Sequence, residues 1–197
     1  MGFDPNGVLS GIPAEQRLNV FALVIYIPDP LGRFLDDLRR ELMPGCNPHA
    51  HVSVLPPRPL AVDWRVAAEQ VRVCAGTWAP FDIVLERIRI FPVTNVIYVE
   101  LGKGSSEMFR IHAAMNSQAL EFDEPFEYHP HITLAQELPR DQVATVDRRA
   151  QELWNTYTGP RTFRAERTAF VQNTLGNCWI DLAEFSLGAV AAKRPSF

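Results

Sequence analysis

A six-residue pattern that occurs twice sets the main constraint on how this chain can fold. HAHVSV spans His49 to Val54 and HPHITL spans His129 to Leu134, and the two segments hold four of the five histidines. In an extended strand, alternate side chains lie on the same face. Each segment therefore predicts a β-strand with imidazoles and a hydroxyl on one face and apolar side chains on the other.

The polar faces of the two predicted strands carry the side chains that can do chemistry. These are His49, His51 and Ser53 on the first strand and His129, His131 and Thr133 on the second. Imidazole gains and loses a proton near neutral pH, and a hydroxyl can donate a hydrogen bond to a charged oxygen. If the strands face each other across a cleft, this group can transfer protons and stabilise an oxyanion without a metal ion.

The composition indicates a globular protein with one domain. Its 197 residues, 47% hydrophobic and 21% charged, suffice for one compact core in one or two lobes. Apolar runs such as Val20 to Ile27 are too short for a membrane-spanning helix, and the first residues lack the pattern of a secretory signal. Three scattered cysteines, Cys46, Cys74 and Cys178, argue against a disulfide framework. We expect a soluble, cytoplasmic monomer.

The net charge argues against one class of partner. A formal net charge of −4 is the opposite of the basic surface with which proteins coat nucleic acid. A few basic side chains or imidazoles in a cleft can still hold a single phosphate. The expected partner is therefore a small nucleotide or the end of an RNA, with no extended nucleic-acid surface and no membrane.

Periodicity and turn residues predict interleaved strands and helices. Predicted strands cover 18–27, 49–54, 81–91, 96–101, 129–134, 162–174 and 178–185. Predicted helices begin at Asp29-Pro30, near 63, at a Ser105 or Ser106 cap and near 139. A polar arm over 1–17 and a tail over 189–197 would flank a single domain at 18–188.

The predicted elements repeat within that domain. Residues 49–103 and 129–187 both read as a histidine strand, a helix, a long strand, a tight turn and a further strand. Two such units packed about a pseudo-twofold axis would place the histidine strands on opposite sides of a central cleft. The pattern favours a bilobal α+β fold in which helices flank two antiparallel or mixed sheets.

The two motifs resemble those of a known family. His51-Val52-Ser53-Val54, continuing into Leu55-Pro56-Pro57, and Pro130-His131-Ile132-Thr133-Leu134-Ala135 are similar to the paired H-x-[ST]-x motifs of the 2H phosphoesterase superfamily. Its best-known branch is the 2′–5′ RNA ligase-like (LigT-like) proteins. The resemblance covers about 18–187. One such tetrapeptide is a weak signal, but two on predicted strands of a repeated unit are fairly specific.

The resemblance implies a bilobal α+β fold with a cleft between two antiparallel sheets. It further implies metal-independent attack on 2′,3′-cyclic phosphates or 2′–5′ phosphodiester bonds, without a cofactor. The matching positions imply four catalytic residues, His51, Ser53, His131 and Thr133. Ser53 replaces the commoner threonine but keeps the hydroxyl. His49 and His129 lie outside the family's minimal motif, so we expect them to line the cleft or to support the catalytic residues.

The chemistry of the residues agrees with this interpretation. Opening a cyclic phosphodiester needs a base for the attacking water, an acid for the departing ribose oxygen and donors for the charged transition state. The near-symmetry of the motifs leaves open which histidine is the base. A bell-shaped pH profile around neutrality is expected. Arg58, just after the first motif, is a candidate phosphate partner.

Two other classes of function stay open at this point. Four imidazoles, from His49, His51, His129 and His131, could instead hold a transition metal, although the serine and threonine then have no role. Alternatively, the protein is a non-catalytic module that binds a nucleotide or an RNA end.

Overall fold

The computed structural model describes residues 12–189, so 1–11 of the predicted arm and 190–197 of the predicted tail lie outside the described residues. Within 12–189 the chain forms eight strands and four α-helices. The strands are β1 (Arg17–Tyr26), β2 (His51–Arg58), β3 (Phe81–Ile90), β4 (Ile97–Leu101), β5 (His131–Ala135), β6 (Thr162–Ala165), β7 (Arg167–Thr174) and β8 (Trp179–Ser186). The helices are α1 (Leu31–Leu42), α2 (Trp64–Thr77), α3 (Ser105–Met115) and α4 (Val143–Thr156).

The strands form two four-stranded sheets. The first has the order β2-β1-β7-β8 and the second β5-β4-β3-β6, with every neighbouring pair antiparallel. Helices α2 and α3 pack on the first sheet and form the first lobe with it, whereas α1 and α4 pack on the second sheet and form the second lobe. The predicted α+β fold with two sheets and flanking helices is confirmed, and both sheets are purely antiparallel.

The apolar core lies between the helices and one face of each sheet. Leu23 and Val54 of the first sheet and Val99 and Leu134 of the second are fully buried, and all four belong to one cluster that runs through both lobes. Burial of each such side chain contributes about 1.5–3 kcal/mol. Because strand residues alternate between faces, the motif side chains lie on the opposite, helix-free faces of the sheets.

Local chemistry explains where two of the helices begin. The carboxylate of Asp63 accepts a hydrogen bond of 2.8 Å from the backbone N–H of Arg65 and caps α2. Gly104, with a φ of 92°, caps α3, and a Cβ on it would lie 2.6 Å from a backbone oxygen. The predicted serine cap is therefore wrong, because Ser105 is already the first residue of the helix.

Other boundaries also differ from the predictions. β2 continues through Pro56 and Pro57 to Arg58, which an edge strand tolerates because one side of it needs no ladder hydrogen bonds. α4 begins at Val143 instead of near 139. The strand predicted over 162–174 is divided at Glu166, because β6 pairs with β3 in the second sheet and β7 pairs with β1 in the first. No helix in the described part of the chain has the length and apolar content needed to cross a bilayer.

Candidate active site

The two histidine strands meet where the lobes join. β2 is an edge strand of the first sheet, β5 is an edge strand of the second, and the two strands contact each other. His51 and Thr133, one from each motif, line the same small cavity at this joint. In both motifs the intervening residue, Val52 or Ile132, is buried, whereas the motif side chains are half-buried on the cleft side.

The two motif imidazoles are held in the same way. Nδ1 of His51 lies 2.7 Å from the backbone oxygen of His49, and Nδ1 of His131 lies 2.6 Å from that of His129. Because a carbonyl oxygen only accepts, each Nδ1 carries a hydrogen. In the neutral ring this leaves the lone pair on Nε2. Each histidine therefore offers one nitrogen to the cleft, as a base when neutral and as an acid when protonated.

Burial favours the neutral form of both rings. Burial is the main cause that lowers the pKa of His51 to about 4. The hydrogen bond to the His49 carbonyl raises this pKa, and the charges of Arg39, His49 and His131 lower it further. Burial also lowers the pKa of His131, with the carbonyl of His129 opposing and the charge of that residue adding. An anionic ligand between the rings would raise both pKa values, since it favours the protonated forms.

The outer histidines lie beside this pair and are exposed. The ring of His49 stacks on Tyr26, with centroids 3.7 Å apart, and the Tyr26 hydroxyl donates to Asp181 at 2.5 Å. His129 meets the ring of Phe91 edge-on at 5.2 Å. It is their backbone carbonyls, and not their rings, that orient the motif imidazoles.

The main chain of each hydroxyl-bearing residue is held by a side chain from the helical side of its sheet. The hydroxyl of Tyr128 donates to the backbone oxygen of Ser53 at 2.8 Å. Nη1 of Arg39 donates to that of Thr133 at 3.2 Å. His112, the fifth histidine, is bonded through Nδ1 to the oxygen of Val54 at 2.9 Å and so lies behind the first motif.

The second sheet gives the cleft a cationic wall. His131 pairs across the strands with Glu100, so the two side chains share a face. An oxygen of Glu100 lies 3.0 Å from Nε of Arg87 and 3.4 Å from Nε of Arg89. Two guanidinium groups thus share one carboxylate, which leaves a net positive charge beside the second motif.

An aromatic pair lies next to this wall. Phe91 stacks on Tyr98 with centroids 4.0 Å apart, and their rings lie 5.0 and 5.4 Å from that of His131. Tyr128, which also has the size to stack on a base, is instead stacked on His112 at 3.7 Å, behind the first sheet. Of these aromatics, Phe91 and Tyr98 are the ones placed beside a motif.

The sequence prediction for Arg58 as a phosphate partner is wrong. Its side chain is buried, with 2% of its surface exposed. It donates to the side chain of Asn116 at 2.7 Å and to the backbone oxygen of Leu120 at 2.9 Å, and it forms an ion pair with Glu124. Arg58 therefore fixes the end of β2 against the segment after α3 and does not face the cleft.

The imidazoles do not converge as metal ligands. Among residues 12–189, no three histidine, cysteine, aspartate or glutamate side chains form a group that could hold a metal ion. The ring of His49 stacks on Tyr26, and His49 and His51 both line the cavity at the joint.

Sequence reasoning missed Arg39 and the Arg87–Arg89 pair. Arg39 lies four residues after Leu35 and three before Leu42, so an arginine borders the apolar stripe of α1, which is the available signal for it. Arg87 and Arg89 of β3, and Phe91 directly after it, alternate with apolar residues. That period places them on one face but does not say that the face adjoins the histidines.

Fold and site together define a class of protein, the two-histidine phosphoesterases, with two antiparallel sheets and one H-x-[ST] motif from each at the joint. The chain belongs to the 2′-5′ RNA ligase superfamily, whose family model matches residues 27–177.

Relatives of known structure have the same fold. Escherichia coli LigT in complex with 3′-AMP aligns with a TM-score of 0.59 at 14% identity, covering 87% of this chain and 98% of LigT. TT0787 of Thermus thermophilus aligns with a TM-score of 0.54 at 15% identity, covering 87% of this chain and 99% of TT0787. The phosphoesterase-like protein OB1230 of Oceanobacillus iheyensis is 29% identical over 84 residues, which are 42% of this chain and 49% of that protein. The matched part thus spans about half of that relative.

Proposed function

We propose that the protein is a metal-independent phosphoesterase that acts on 2′,3′-cyclic phosphates or 2′–5′ phosphodiester bonds in small nucleotides or at RNA ends. The observation that carries the proposal is the matched pair of imidazoles at the joint, each held through Nδ1 by a carbonyl. Within residues 12–189, neither Nε2 has a hydrogen-bond partner. A phosphodiester bound between His51 and His131 would have a proton acceptor on one side and a proton donor on the other.

The reaction needs no other reactant than water. For a cyclic phosphate, one Nε2 takes a proton from water as its oxygen bonds to phosphorus, and the other gives a proton to the ribose oxygen as its bond to phosphorus breaks. The hydroxyls of Ser53 and Thr133 donate to the non-bridging oxygens as charge develops on them. Each positioned acid or base typically contributes about 10²–10⁴-fold in rate.

The walls of the cleft support a nucleotide as the substrate. Arg87 and Arg89, which share one carboxylate, can hold a further phosphate, while Phe91 and Tyr98 offer an aromatic surface beside His131. Structures of E. coli LigT contain 3′-AMP, ATP or NADP+, which supports a nucleotide ligand here as well. The formal net charge of −4 limits contact with a long RNA.

The direct test is a screen of 2′,3′-cyclic nucleotides, ADP-ribose 1″,2″-cyclic phosphate and 2′–5′-linked oligonucleotides with purified protein in EDTA. We expect turnover of at least one compound in the chelator. Activity that vanishes in EDTA and returns with one metal would favour the four-histidine metal site. Nucleotide binding without turnover of any compound would favour the non-catalytic module.

Substitutions then test the assigned roles on the substrate that the screen identifies. His51→Ala and His131→Ala should each nearly abolish turnover. Ser53→Ala and Thr133→Ala should reduce kcat about tenfold to a thousandfold, as for loss of one oxyanion donor. His49→Ala and His129→Ala are the matched controls and should cost less, since their backbone carbonyls remain. A His49→Ala variant as inactive as His51→Ala would show that the catalytic pair is wrongly assigned.

A further inference from the structure

Arg39 supports the second motif at the joint, and a different kind of side chain supports the first motif. It lies in the last turn of α1 and its Nη1 holds the backbone oxygen of Thr133 at 3.2 Å. The corresponding bond in the first lobe, to the backbone oxygen of Ser53, comes from the neutral hydroxyl of Tyr128. The two motifs are therefore alike in geometry but differ in charge, because only the second is held by a cation.

The charge of Arg39 lies close to His51. Arg39, Asp36, His51 and Thr133 line one cavity of about 10 Å³ at the joint, which is the size of about one water molecule. Nε of Arg39 and Oδ1 of Asp36 are both buried there without a hydrogen-bond partner among residues 12–189. Both residues line the cavity that His51 also lines.

The charge of this guanidinium is poorly neutralised. No carboxylate in the described range lies within 4.0 Å of Arg39, whereas its helix neighbour Arg40 is paired with Asp37 at 2.6 Å. Burial raises the pKa of Asp36 and lowers that of Arg39. A half-buried cation without a close partner acts over a longer range than a fully exposed one, because less water screens it.

The surroundings of the two histidines differ accordingly. His51 faces Arg39 and Asp36 from α1, Tyr26 from β1, His49 before its own strand and His131 across the joint. His131 faces Phe91, Tyr98 and Glu100 of the second sheet and His129 before its own strand. Arg87 and Arg89 also lie on this side, where both pair with the Glu100 carboxylate. The cation next to His51 has no carboxylate within 4.0 Å in the described range, whereas the two cations on the His131 side share the carboxylate of Glu100.

We propose that Arg39 is a positioning residue that holds the Thr133 strand in place and whose charge makes His51 the proton acceptor and His131 the proton donor. This assignment rests on the proposed function. In the forward direction, Nε2 of His51 takes the proton of the attacking water as the new oxygen–phosphorus bond forms. Nε2 of His131 gives its proton to the ribose oxygen as the old bond breaks, and solvent then restores both rings.

The first test does not depend on activity. Long-range ¹H–¹⁵N NMR spectra of the imidazole nitrogens follow the protonation of His51 and His131 in the free protein as the pH changes. In the wild-type chain His51 should titrate at lower pH than His131. Arg39→Gln should raise the pKa of His51 by about one unit and move that of His131 much less, whereas Arg39→Lys should keep the pKa of His51 low.

Arg40→Gln is the matched control, since it removes the same charge one residue along α1 but from an exposed ion pair. It should leave the titration of His51 where it is. Equal titration of His51 in wild type and Arg39→Gln, or a His131 that titrates below His51 in wild type, would overturn the proposal. The wild-type comparison stands even if Arg39→Gln does not fold.

The second test ties the charge to catalysis. His51 must be neutral to act as the base, so kcat/KM falls as the pH drops through its pKa. Raising that pKa in Arg39→Gln should move the acidic limb of the profile to higher pH and leave the alkaline limb in place. In Arg39→Lys the acidic limb should lie close to its wild-type position. A shift of the alkaline limb alone would overturn the assignment, because it would show that His51 is the acid and His131 the base. Absence of turnover in all variants and in wild type would reject the proposed function while leaving the NMR result on Arg39 valid.

Discussion

At the scale of single residues, the roles proposed for His51 and His131 predict the pH at which the site works. Both pKa values lie below the ordinary value near 6.5 because the rings are buried, and that of His51 is about 4. The base must be neutral and the acid protonated. The kcat/KM of the free enzyme should therefore form a bell on the acid side of neutrality, and not around it as the unperturbed values of the sequence would suggest.

The sign of each limb follows from these shifts. With His51 as the base, kcat/KM falls as the pH drops towards about 4; with His131 as the acid, kcat/KM falls as the pH rises through a value below 6.5. A bound anion raises both pKa values, so the kcat profile should lie at higher pH than the kcat/KM profile. Rates from about pH 3.5 to 9 on a cyclic nucleotide check this. A kcat/KM optimum above about pH 7 would contradict it.

The sequence specifies the residues of each motif but not their partners. Alternation alone places His51 with Ser53 and His131 with Thr133 on one face of a strand. Which side chain reaches the joint from a helix, as Arg39 does, depends on packing between segments far apart in the chain, and no local period records it. The same limit explains why the sequence wrongly suggests Arg58 as a phosphate partner, since its burial depends on residues 116–124.

At the scale of elements, β2 and β5 are edge strands that carry the proposed catalytic groups, so each needs support on its free side. Tyr128 provides it for β2 through its hydrogen bond to Ser53. Tyr128→Phe keeps the ring but removes that bond, and should lower the free energy of unfolding by about 1 kcal/mol and kcat/KM severalfold. Denaturant unfolding and steady-state rates measure both.

Tyr157→Phe is the control for that substitution. The Tyr157 hydroxyl is buried without a hydrogen-bond partner among residues 12–189, so its removal should leave activity unchanged and stability equal or higher. If the two variants behave alike, the Tyr128 hydroxyl does not hold the strand.

The far end of β2 depends on a buried ion pair. Arg58 and Glu124 are 1% and 10% exposed in their side chains. Arg58→Ala leaves the carboxylate buried without its partner and should cost about 3–5 kcal/mol of stability. Arg72→Ala breaks an ion pair with Glu69 whose side chains are more than half exposed, and its unfolding midpoint should not change. An Arg58→Ala variant of normal stability but raised KM would instead support a phosphate-binding role.

Elements were predictable to the extent that their determinants are local. The strands and the apolar stripe of α1 follow from periodicity, and α2 from its Asp63 cap. The division of 162–174 at Glu166 was not predictable from the sequence. Both pieces have the composition of one strand, and only pairing with different sheets separates them. Another crossing, between β2 and β3, places the β3–β4 hairpin in the second sheet although β2, from the same predicted repeat unit, lies in the first.

At the scale of the whole molecule, this exchange of elements ties the two lobes together. The chain passes from β1 in the first sheet to α1, which packs on the second, and returns through β2. One apolar cluster includes Val54 of the first sheet and Leu134 of the second. We propose that 18–188 is a single domain related internally by a pseudo-twofold axis, in which neither lobe has a complete core alone.

A single domain of this kind should unfold in one step. Tryptophans report on both lobes: Trp78 follows α2 in the first and Trp154 lies in α4 of the second. With fluorinated tryptophan, the ¹⁹F signals of the two native environments should disappear at the same urea concentration. Separate midpoints would show that the lobes unfold independently.

Core substitutions make that test sharper, since they weaken one lobe at a time. Val54→Ala and Leu134→Ala each remove methyl groups from fully buried sites, and Leu134→Ala should cost about 2–5 kcal/mol. If the lobes share one transition, each variant shifts the Trp78 and Trp154 signals by equal amounts. If Leu134→Ala shifted the unfolding midpoint of the Trp154 signal alone, the lobes would unfold independently. The joint that holds His51 and His131 would then be an interface between two domains.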